Sequence, residues 1–286
     1  MKKIFGVYTA LITPFKKDKV DEKAFQSIVE WQIEKGVHGL VPCGTTGESA
    51  TLTMEEHKRL ISLCVEVAKG KVPVMAGAGA NSTAEAIELT KYAKQAGADS
   101  VLSVVPYYNK PSQEGIYRHF KAIHDAVNIP IVLYNIPGRS IVDMQDFTIA
   151  RLADLPRIVG IKDATGNLAR VATLRAHVGQ QFIQLSGEDM TAVGFNAMGG
   201  KGCVSVSSNV APGRVAEIQA QCLKENFTKA SRLQDTLVDL HLAMFCEPSP
   251  APVKHALSLL NKCAPDCRLP IAPLSSAGKK VVRDAM

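Results

Sequence analysis

One lysine is singled out by its position at the end of a short apolar run. Lys162 closes the run that starts at Ile158, and strand alternation puts it on the same face as Gly160, which is expected to leave space below it. The branched Val159 and Ile161 take the other face, which suits a layer covered by helices. Lys162 is therefore expected to point inward, where the cost of burying an ammonium favours the neutral amine. Such an amine forms imines with keto acids, and a lysine paired with a core carboxylate is the alternative.

Three hydroxyl side chains at the ends of other apolar runs are candidates for moving protons. Tyr134 alternates with Val132, so it is also expected to point inward, next to Lys162. Thr45 and Tyr108 follow two further runs. Imine formation requires proton transfers, which a chain of these hydroxyls can provide. A packed aromatic, a turn residue and a loop anchor are the respective structural alternatives.

Two features at the same strand ends can bind a carboxylate. Arg139 follows Pro137-Gly138, and a guanidinium there can hold a carboxylate through two hydrogen bonds, a rim salt bridge being the alternative. The segment Gly44-Thr45-Thr46-Gly47 lacks the Lys-Ser ending of a nucleotide P-loop. Its backbone amides and the Thr46 hydroxyl can still receive the carboxylate of a keto acid.

Eight apolar runs, separated by helix-length amphipathic segments, must position these residues. They are Val7–Ile12, Gly39–Pro42, Val74–Ala78, Ser100–Val105, Ile131–Tyr134, Ile158–Lys162, Phe182–Ser186 and Gly202–Val206. Eight strand–helix units predict a closed (β/α)₈ TIM barrel, whose active site lies at the carboxyl ends of the strands. A doubly wound open sheet is the alternative, but it requires a glycine-rich turn after the first strand, and Thr9–Pro14 is not one.

Helix signals divide the chain into a barrel and a tail. Asp21, the Thr53/Glu56 and Ser82/Glu85 capping pairs, and Pro212 mark helix starts. About 80 residues follow the eighth strand, more than one barrel helix requires. They predict helices at 211–224, 228–245 and 252–261. We expect a barrel over residues 1–224 and a helical extension over 225–286.

Bulk properties narrow the class of protein. The net charge of +6 is scattered, without the clustered basic stripe of a nucleic-acid-binding protein. Apolar stretches are shorter than a membrane span, and Met1–Gly6 leads into a strand and does not resemble a signal peptide. The seven cysteines suit reduced thiols in a cytoplasm. Cys263 and Cys267 lack a second pair or a nearby histidine, so no metal site is expected.

The assembled motifs resemble the pyruvate-dependent Schiff-base lyases of the dihydrodipicolinate synthase and N-acetylneuraminate lyase family. The resemblance runs from end to end of the chain. It is carried by Gly6–Phe15, Gly44–Glu48, Pro106–Pro111, Tyr134–Arg139, Gly160–Asp163, Pro252–Lys254 and Leu269–Leu274. The segments Pro106–Pro111 and Arg139 are most similar to the branch that condenses pyruvate with L-aspartate 4-semialdehyde, at the entry to the diaminopimelate route to lysine.

The resemblance implies a role for each candidate. Lys162 forms the imine with pyruvate without a cofactor, and Thr45, Tyr108 and Tyr134 relay protons. Thr46 contacts the pyruvate carboxylate, and Arg139 binds the carboxylate of the second substrate. Two further residues, Gly187 and Val204, shape the pyruvate pocket through their backbone. In the family Tyr108 reaches a neighbouring subunit's site, so a homo-oligomer is implied, with a dimer of dimers as the expected form.

The family's feedback site implies inhibition by L-lysine. The matching positions are Ser49, Ala50, His57, Asn81, Glu85 and Tyr107. Glu85 would pair with the inhibitor's α-amine, although it also suits a helix cap, and His57 sits just inside a helix start. Met54 departs from the pattern, since some lysine-sensitive members carry a histidine there.

Three other functions compete with this interpretation. An N-acetylneuraminate or 2-keto-3-deoxy sugar-acid lyase would share Lys162 and Tyr134 but has less use for Arg139. A non-catalytic barrel that binds keto acids would be expected to have lost relay residues. A metal-dependent aldolase on the same fold would require histidine and carboxylate ligands at strand ends.

Overall fold

The computed structural model describes residues 3–286, so Met1 and Lys2 of the N-terminal run lie outside the described residues. All eight predicted runs form strands, with ends that differ by two residues or fewer from the prediction. The barrel strands are β1 (Gly6–Ala10), β4 (Gly39–Val41), β5 (Met75–Gly77), β6 (Ser100–Val104), β7 (Ile131–Asn135), β8 (Ile158–Asp163), β9 (Ile183–Ser186) and β10 (Gly202–Ser205). A small antiparallel hairpin, β2 (Phe15–Lys16) and β3 (Lys19–Val20), was not predicted.

The eight strands are parallel and close into a barrel. Their order around the sheet is β4-β1-β10-β9-β8-β7-β6-β5. The two ends of this order, β4 and β5, are joined by a parallel bridge between Leu40 and Val74. The Gly77 N–H also donates to the Pro42 carbonyl at 2.9 Å. Closure leaves no sheet edge and excludes the doubly wound alternative.

The barrel has an inner and an outer apolar layer, as strand alternation predicts. The inner layer consists of Ile4, Tyr8, Ala10, Val41, Met75, Leu102, Val132, Tyr134, Leu185 and Val204. The larger outer layer holds the opposite strand faces, including Val7, Leu133 and Ile161, against the helices. Side chains that point inward near the carboxyl ends therefore face one shared space.

The helices around the barrel begin largely where their caps predict. They are α1 (Glu22–Glu34), α2 (Met54–Ala68), α3 (Thr83–Gln95), α4 (Gln113–Ala126), α5 (Pro137–Ser140), α6 (Asp146–Ala153), α7 (Ala169–Val178), α8 (Ala192–Ala197) and α9 (Pro212–Leu223). Asp21 accepts the Ala24 N–H, and Thr53 and Glu56 form a reciprocal capping box. No helix in residues 3–286 is long and apolar enough to cross a bilayer.

The extension differs from the prediction in its helices. They are α10 (Phe227–Asp235), α11 (Val238–Ala243), α12 (Ala251–Leu259) and α13 (Ser276–Asp284). The single helix expected over 228–245 is wrong: it breaks at Thr236, whose hydroxyl donates to the Leu233 carbonyl, and at Leu237, whose N–H bonds the Gln234 carbonyl three residues back. Helix α13 was not predicted. The boundary between residues 224 and 225 stays a prediction.

Candidate active site

Lys162 and Tyr134 lie side by side at the carboxyl ends of neighbouring strands. Strand register pairs Lys162 of β8 with Tyr134 of β7 on one side and with Leu185 of β9 on the other. The Lys162 Nζ lies 4.0 Å from the centre of the Tyr134 ring, and the lysine is only 7% exposed. The predicted inward direction of both side chains is therefore confirmed.

The carboxylate-paired alternative for Lys162 does not hold within residues 3–286. No carboxylate there lies within 4.0 Å of its Nζ. Glu188, just beyond β9, is close enough for the lysine charge to act on it. Burial raises the pKa of Glu188 and the charge of Asp189 adds to this, whereas Lys162 opposes the rise. The amine thus remains available for chemistry.

Two glycines allow the strands around Lys162 to approach closely. A Cβ on Gly160 would lie 2.4 Å from the Ile183 carbonyl oxygen, so the expected space below Lys162 is occupied by the backbone of β9. A Cβ on Gly187 would lie 2.7 Å from the Ala164 Cβ. Gly187 also donates its N–H to the Asp163 carbonyl at 2.6 Å. The ends of β8 and β9 therefore form a narrow wall beside the lysine.

Val204 and Thr46 complete the buried part of this region. Val204 belongs to the inner layer that also contains Tyr134 and Leu185. Thr46 is buried in the loop after β4. The same loop exposes Thr45, whose carbonyl accepts the Glu48 N–H at 3.0 Å. The loop thus presents neighbouring hydroxyls in different settings, one buried and one open to solvent.

Thr45 connects the buried residues to a wide cleft. A cavity of about 40 Å³ is lined by Thr45, Tyr134 and the glycines Gly77 and Gly79. Thr45 also lines an open cleft of about 330 Å³ together with Arg139. Its position suits a proton relay between the buried amine and the cleft.

Arg139 stands on α5, the single turn that Pro137 begins after β7. It is exposed and lines the cleft. Within residues 3–286 it has no acidic partner within 4.0 Å, which argues against the rim salt bridge. A guanidinium with free donors in a cleft is suited to bind a carboxylate.

Tyr108 lies apart from the other relay candidates within one chain. Its side chain is 90% exposed, its φ is +70°, and it lines neither cavity. The surrounding loop is held by Asn81, which donates to the Tyr107 carbonyl, and by Asn109, which donates to the Asn81 carbonyl. An aromatic side chain displayed on an ordered loop is suited to contact another molecule.

The predicted lysine-site residues are mostly brought together at the mouth of the cleft. Ser49, Ala50 and Tyr107 line it. Burial raises the pKa of Tyr107, and the nearby charge of Glu85 adds to the rise. His57 differs: it is buried with Nε2 2.7 Å from the Gly77 carbonyl, and burial lowers its pKa. A core role accounts for His57.

Residues of the extension reach the same cleft and were given no role by the sequence. Ser249, Pro250, Pro270 and Ile271 form part of its wall. Behind them Lys254, on α12, forms a fully buried ion pair with Glu48 of the loop after β4. A lysine inside a mostly apolar helix is the sequence signal that could have pointed to this contact. No group of three or more His, Cys, Asp or Glu among residues 3–286 is arranged to hold a metal.

Comparisons with known proteins show the family to which the chain belongs. The family model of the Dihydrodipicolinate synthetase family matches residues 3–286. The 4-hydroxy-tetrahydrodipicolinate synthase of Parvibaculum lavamentivorans is 60% identical over 281 residues, covering 98% of this chain and 97% of that protein. The chloride-inhibited dihydrodipicolinate synthase of Acinetobacter baumannii, solved in complex with pyruvate, has a TM-score of 0.97 at 45% identity, covering 99% of this chain and 98% of that one.

A third comparison is with DHDPS from Cyanidioschyzon merolae, solved with lysine bound. It has a TM-score of 0.95 at 39% identity and covers 99% of this chain and 97% of that one. The family model, the sequence identities and the fold all lead to one assignment. The chain belongs to the dihydrodipicolinate synthetase family.

Proposed function

We propose that this chain condenses pyruvate with L-aspartate 4-semialdehyde to give 4-hydroxy-tetrahydrodipicolinate, the first committed step of the diaminopimelate route to lysine. The observation that carries the proposal is the buried Lys162 amine, which has no carboxylate partner among residues 3–286 and lies 4.0 Å from the centre of the Tyr134 ring at the barrel's carboxyl end. The family membership supports the reaction, and Arg139, which lines the adjoining cleft and has no acidic partner within the same described residues, supports the second substrate.

The chemistry follows from the amine. Lys162 attacks the keto carbon of pyruvate, and the resulting carbinolamine loses water to become an imine. Loss of a methyl proton gives an enamine, whose carbon attacks the aldehyde carbon of the second substrate. The amino group of that substrate then attacks the imine carbon, closes the ring and releases Lys162. The Lys162 nitrogen forms the imine and is displaced at the end, and the carbon–carbon bond forms through the enamine between these steps, so the proposed reaction uses no cofactor.

The remaining roles are assigned by position. Tyr134 and Thr45 line the same small cavity. They are therefore suited to protonate the carbinolamine hydroxyl and to transfer protons between the buried amine and the cleft. The part of the site proposed for pyruvate is lined by Thr46, Gly187 and Val204. Arg139 holds the carboxylate of the semialdehyde through its free donors.

Trapping of the imine tests the chemistry directly. Borohydride reduction in the presence of pyruvate should add the reduced pyruvate group to Lys162, as peptide mass mapping reports. The matched control is Lys201→Met, which removes an exposed lysine outside the cleft and should leave labelling unchanged. Labelling elsewhere, or wild-type turnover in Lys162→Met, contradicts the mechanism.

The acceptor distinguishes this function from that of a sugar-acid lyase. An exposed guanidinium at the cleft matches the short carboxylate-bearing semialdehyde, and it gives no advantage with a polyhydroxy aldehyde. Turnover should therefore be seen with L-aspartate 4-semialdehyde and not with N-acetylmannosamine or glyceraldehyde. The opposite pattern overturns the assignment of substrate but leaves the imine chemistry in place.

We further propose inhibition by L-lysine, at the group formed by Ser49, Ala50, Asn81, Glu85 and Tyr107. The support is the proximity of Glu85 to Tyr107 at the mouth of the cleft, and the lysine bound to the Cyanidioschyzon merolae relative. Glu85→Gln should weaken inhibition without changing uninhibited turnover. Wild-type turnover that is unaffected by millimolar L-lysine refutes this proposal.

Assembly and location are proposed on the same basis. The exposed Tyr108 supports a homo-oligomer in which it completes a partner's relay, with a dimer of dimers as the proposed form. Tyr108→Phe should lower turnover without preventing imine trapping at equilibrium, and a fully active monomer would refute the assembly. Substrates that are small metabolites support a cytoplasmic location.

A further inference from the structure

The extension contacts the loop after β4 through the buried ion pair between Lys254 and Glu48, which we call the brace. Lys254 on α12 is 0% exposed, and its ammonium donates to a carboxylate oxygen of Glu48 and, at 2.8 Å, to the Asp266 carbonyl. The same Nζ lies 4.2 Å from the centre of the Phe15 ring. Glu48 and Phe15 both lie more than 200 positions before Lys254 in the chain, whereas Asp266 belongs to the same extension.

Glu48 is held at both carboxylate oxygens. Its second oxygen accepts the backbone N–H of Arg268 at 2.9 Å. The Arg268 side chain is itself held by two hydrogen bonds to Glu56, each of 2.6 Å, and by two to Asp18, one to its carboxylate and one to its carbonyl. The carboxylate therefore has little freedom, and the extension determines where it lies.

The backbone of Glu48 is in a conformation that other residues must maintain. Its φ is +54°, in the left-handed region that side chains other than glycine rarely adopt. Such a conformation persists where the surroundings over-determine it. In this conformation the Glu48 N–H donates to the Thr45 carbonyl at 3.0 Å. A continuous path of contacts thus runs from Lys254 through Glu48 to Thr45.

We infer that Lys254 is a positioning residue for Thr45, acting through Glu48. The inference rests on the proposed function, because Thr45 is the proposed link between the buried amine and the cleft. The extension thereby does more than cover the barrel: its α12 helix sets the position of a hydroxyl in the proton relay. Loss of the brace frees the loop and moves this hydroxyl without touching a substrate.

A double-mutant cycle with Thr45 tests the path. Lys254→Met should lower kcat by ~10-fold to ~100-fold, the range expected when a reacting group is displaced by about 1 Å. In a Thr45→Val background, where the hydroxyl is already absent, the same change should lower kcat by no more than ~2-fold, because residues that act through one another are not additive. Lys262→Met is the matched control in the same extension and should leave kcat unchanged.

Removal of the charges of both Lys254 and Glu48 distinguishes a kcat loss caused by displacement of Thr45 from one caused by lower folding stability. Lys254→Met leaves Glu48 without its cation, which destabilises a buried pair, whereas exchange of both members for apolar residues is often tolerated. Glu48→Met combined with Lys254→Met should therefore keep the thermal unfolding temperature close to that of the wild type and still show the kcat loss. Pyruvate trapping at Lys162 after long incubation should remain complete in both variants.

The outcomes distinguish this inference from the proposed function. Equal losses from Lys254→Met in the wild-type and Thr45→Val backgrounds, or wild-type kcat in the double Met variant, overturn the brace alone. Unchanged kcat in Thr45→Val by itself overturns the relay role of Thr45 and the inference built on it. Failure to trap pyruvate on wild-type Lys162 overturns the proposed function.

Discussion

Gly187 provides the sharpest test of the pyruvate pocket. Substitution by alanine would put a methyl group 2.7 Å from the Ala164 Cβ and 3.1 Å from the Asp163 carbonyl oxygen. Carbon atoms in contact prefer a separation of about 3.5–4.0 Å, so the strand ends must move apart by roughly 1 Å. Neither methyl group can rotate away, and the 2.6 Å hydrogen bond from Gly187 to Asp163 resists the movement.

The expected magnitudes follow from that displacement. Overpacking of this kind costs about 1–3 kcal/mol of the free energy of unfolding. A shift of about 1 Å beside Lys162 is expected to lower kcat/KM for pyruvate by up to ~100-fold, or about 2.7 kcal/mol in the barrier. Steady-state kinetics with varied pyruvate, together with the rate of borohydride trapping at Lys162, measures the effect.

A second glycine provides the control for Gly187→Ala. At Gly213, on α9, an added Cβ would meet Lys35 atoms at 3.7 and 4.0 Å, which are ordinary contacts. Gly213→Ala should keep wild-type kinetics and gain about 0.5–1 kcal/mol of stability from its helical position. Wild-type kcat/KM for pyruvate in Gly187→Ala refutes the close-packed wall as a determinant of the pocket.

Three further predictions concern two residues of the site and one buried histidine of α4. Tyr134→Phe should lower kcat by ~100-fold or more with the unfolding temperature nearly unchanged, and retained kcat argues against its relay role. Arg139→Gln should raise KM for the semialdehyde by ~10-fold or more and leave KM for pyruvate unchanged, and equal effects on both contradict its assignment. Burial lowers the pKa of His119 from 6.5 to about 4, so the fold favours its neutral form. Its stabilising contribution, at most ~3 kcal/mol, is present above pH 6.5 and is lost as the pH falls toward 4. His119→Leu should flatten this part of the pH dependence of thermal unfolding, and a slope identical to that of the wild type would contradict the assignment.

The directions of side chains in the site were predicted correctly from the sequence where they depend on a single strand. The alternation of Gly160 and Lys162 requires only the two-residue period of a strand, and the same holds for Tyr134 after Val132. Both directions are confirmed by the register of β7 and β8. The prediction that Gly160 leaves space below Lys162 was wrong, because the backbone of β9 fills that space. Strand β9 is a separate segment of the chain, so the pattern of β8 does not show its approach.

The extension shows the opposite case. A helix over 228–245 is periodic in the sequence, but Gln234 donates to the Asp189 carbonyl and Thr236 to the Leu233 carbonyl, so the chain breaks into α10 and α11. The Gln234 bond reaches backbone 45 positions earlier in the chain, which local periodicity does not show, and the Thr236 bond is a local side-chain contact that competes with the helix's own backbone bonds.

What the sequence by itself determined is local: eight strands, their faces, most helix starts, and the chemical types at the strand ends. Which of the more distant groups meet was decided only by the packed barrel. Packing set the 4.0 Å between the Lys162 Nζ and the Tyr134 ring and left Arg139 without an acidic partner within the described residues. It also brought Lys254 to Glu48 across 206 positions of the chain and left Tyr108 displayed on the surface. The physical reason is that strand alternation depends on neighbours in sequence, whereas ion pairs and cavities depend on segments that only the packed barrel brings together.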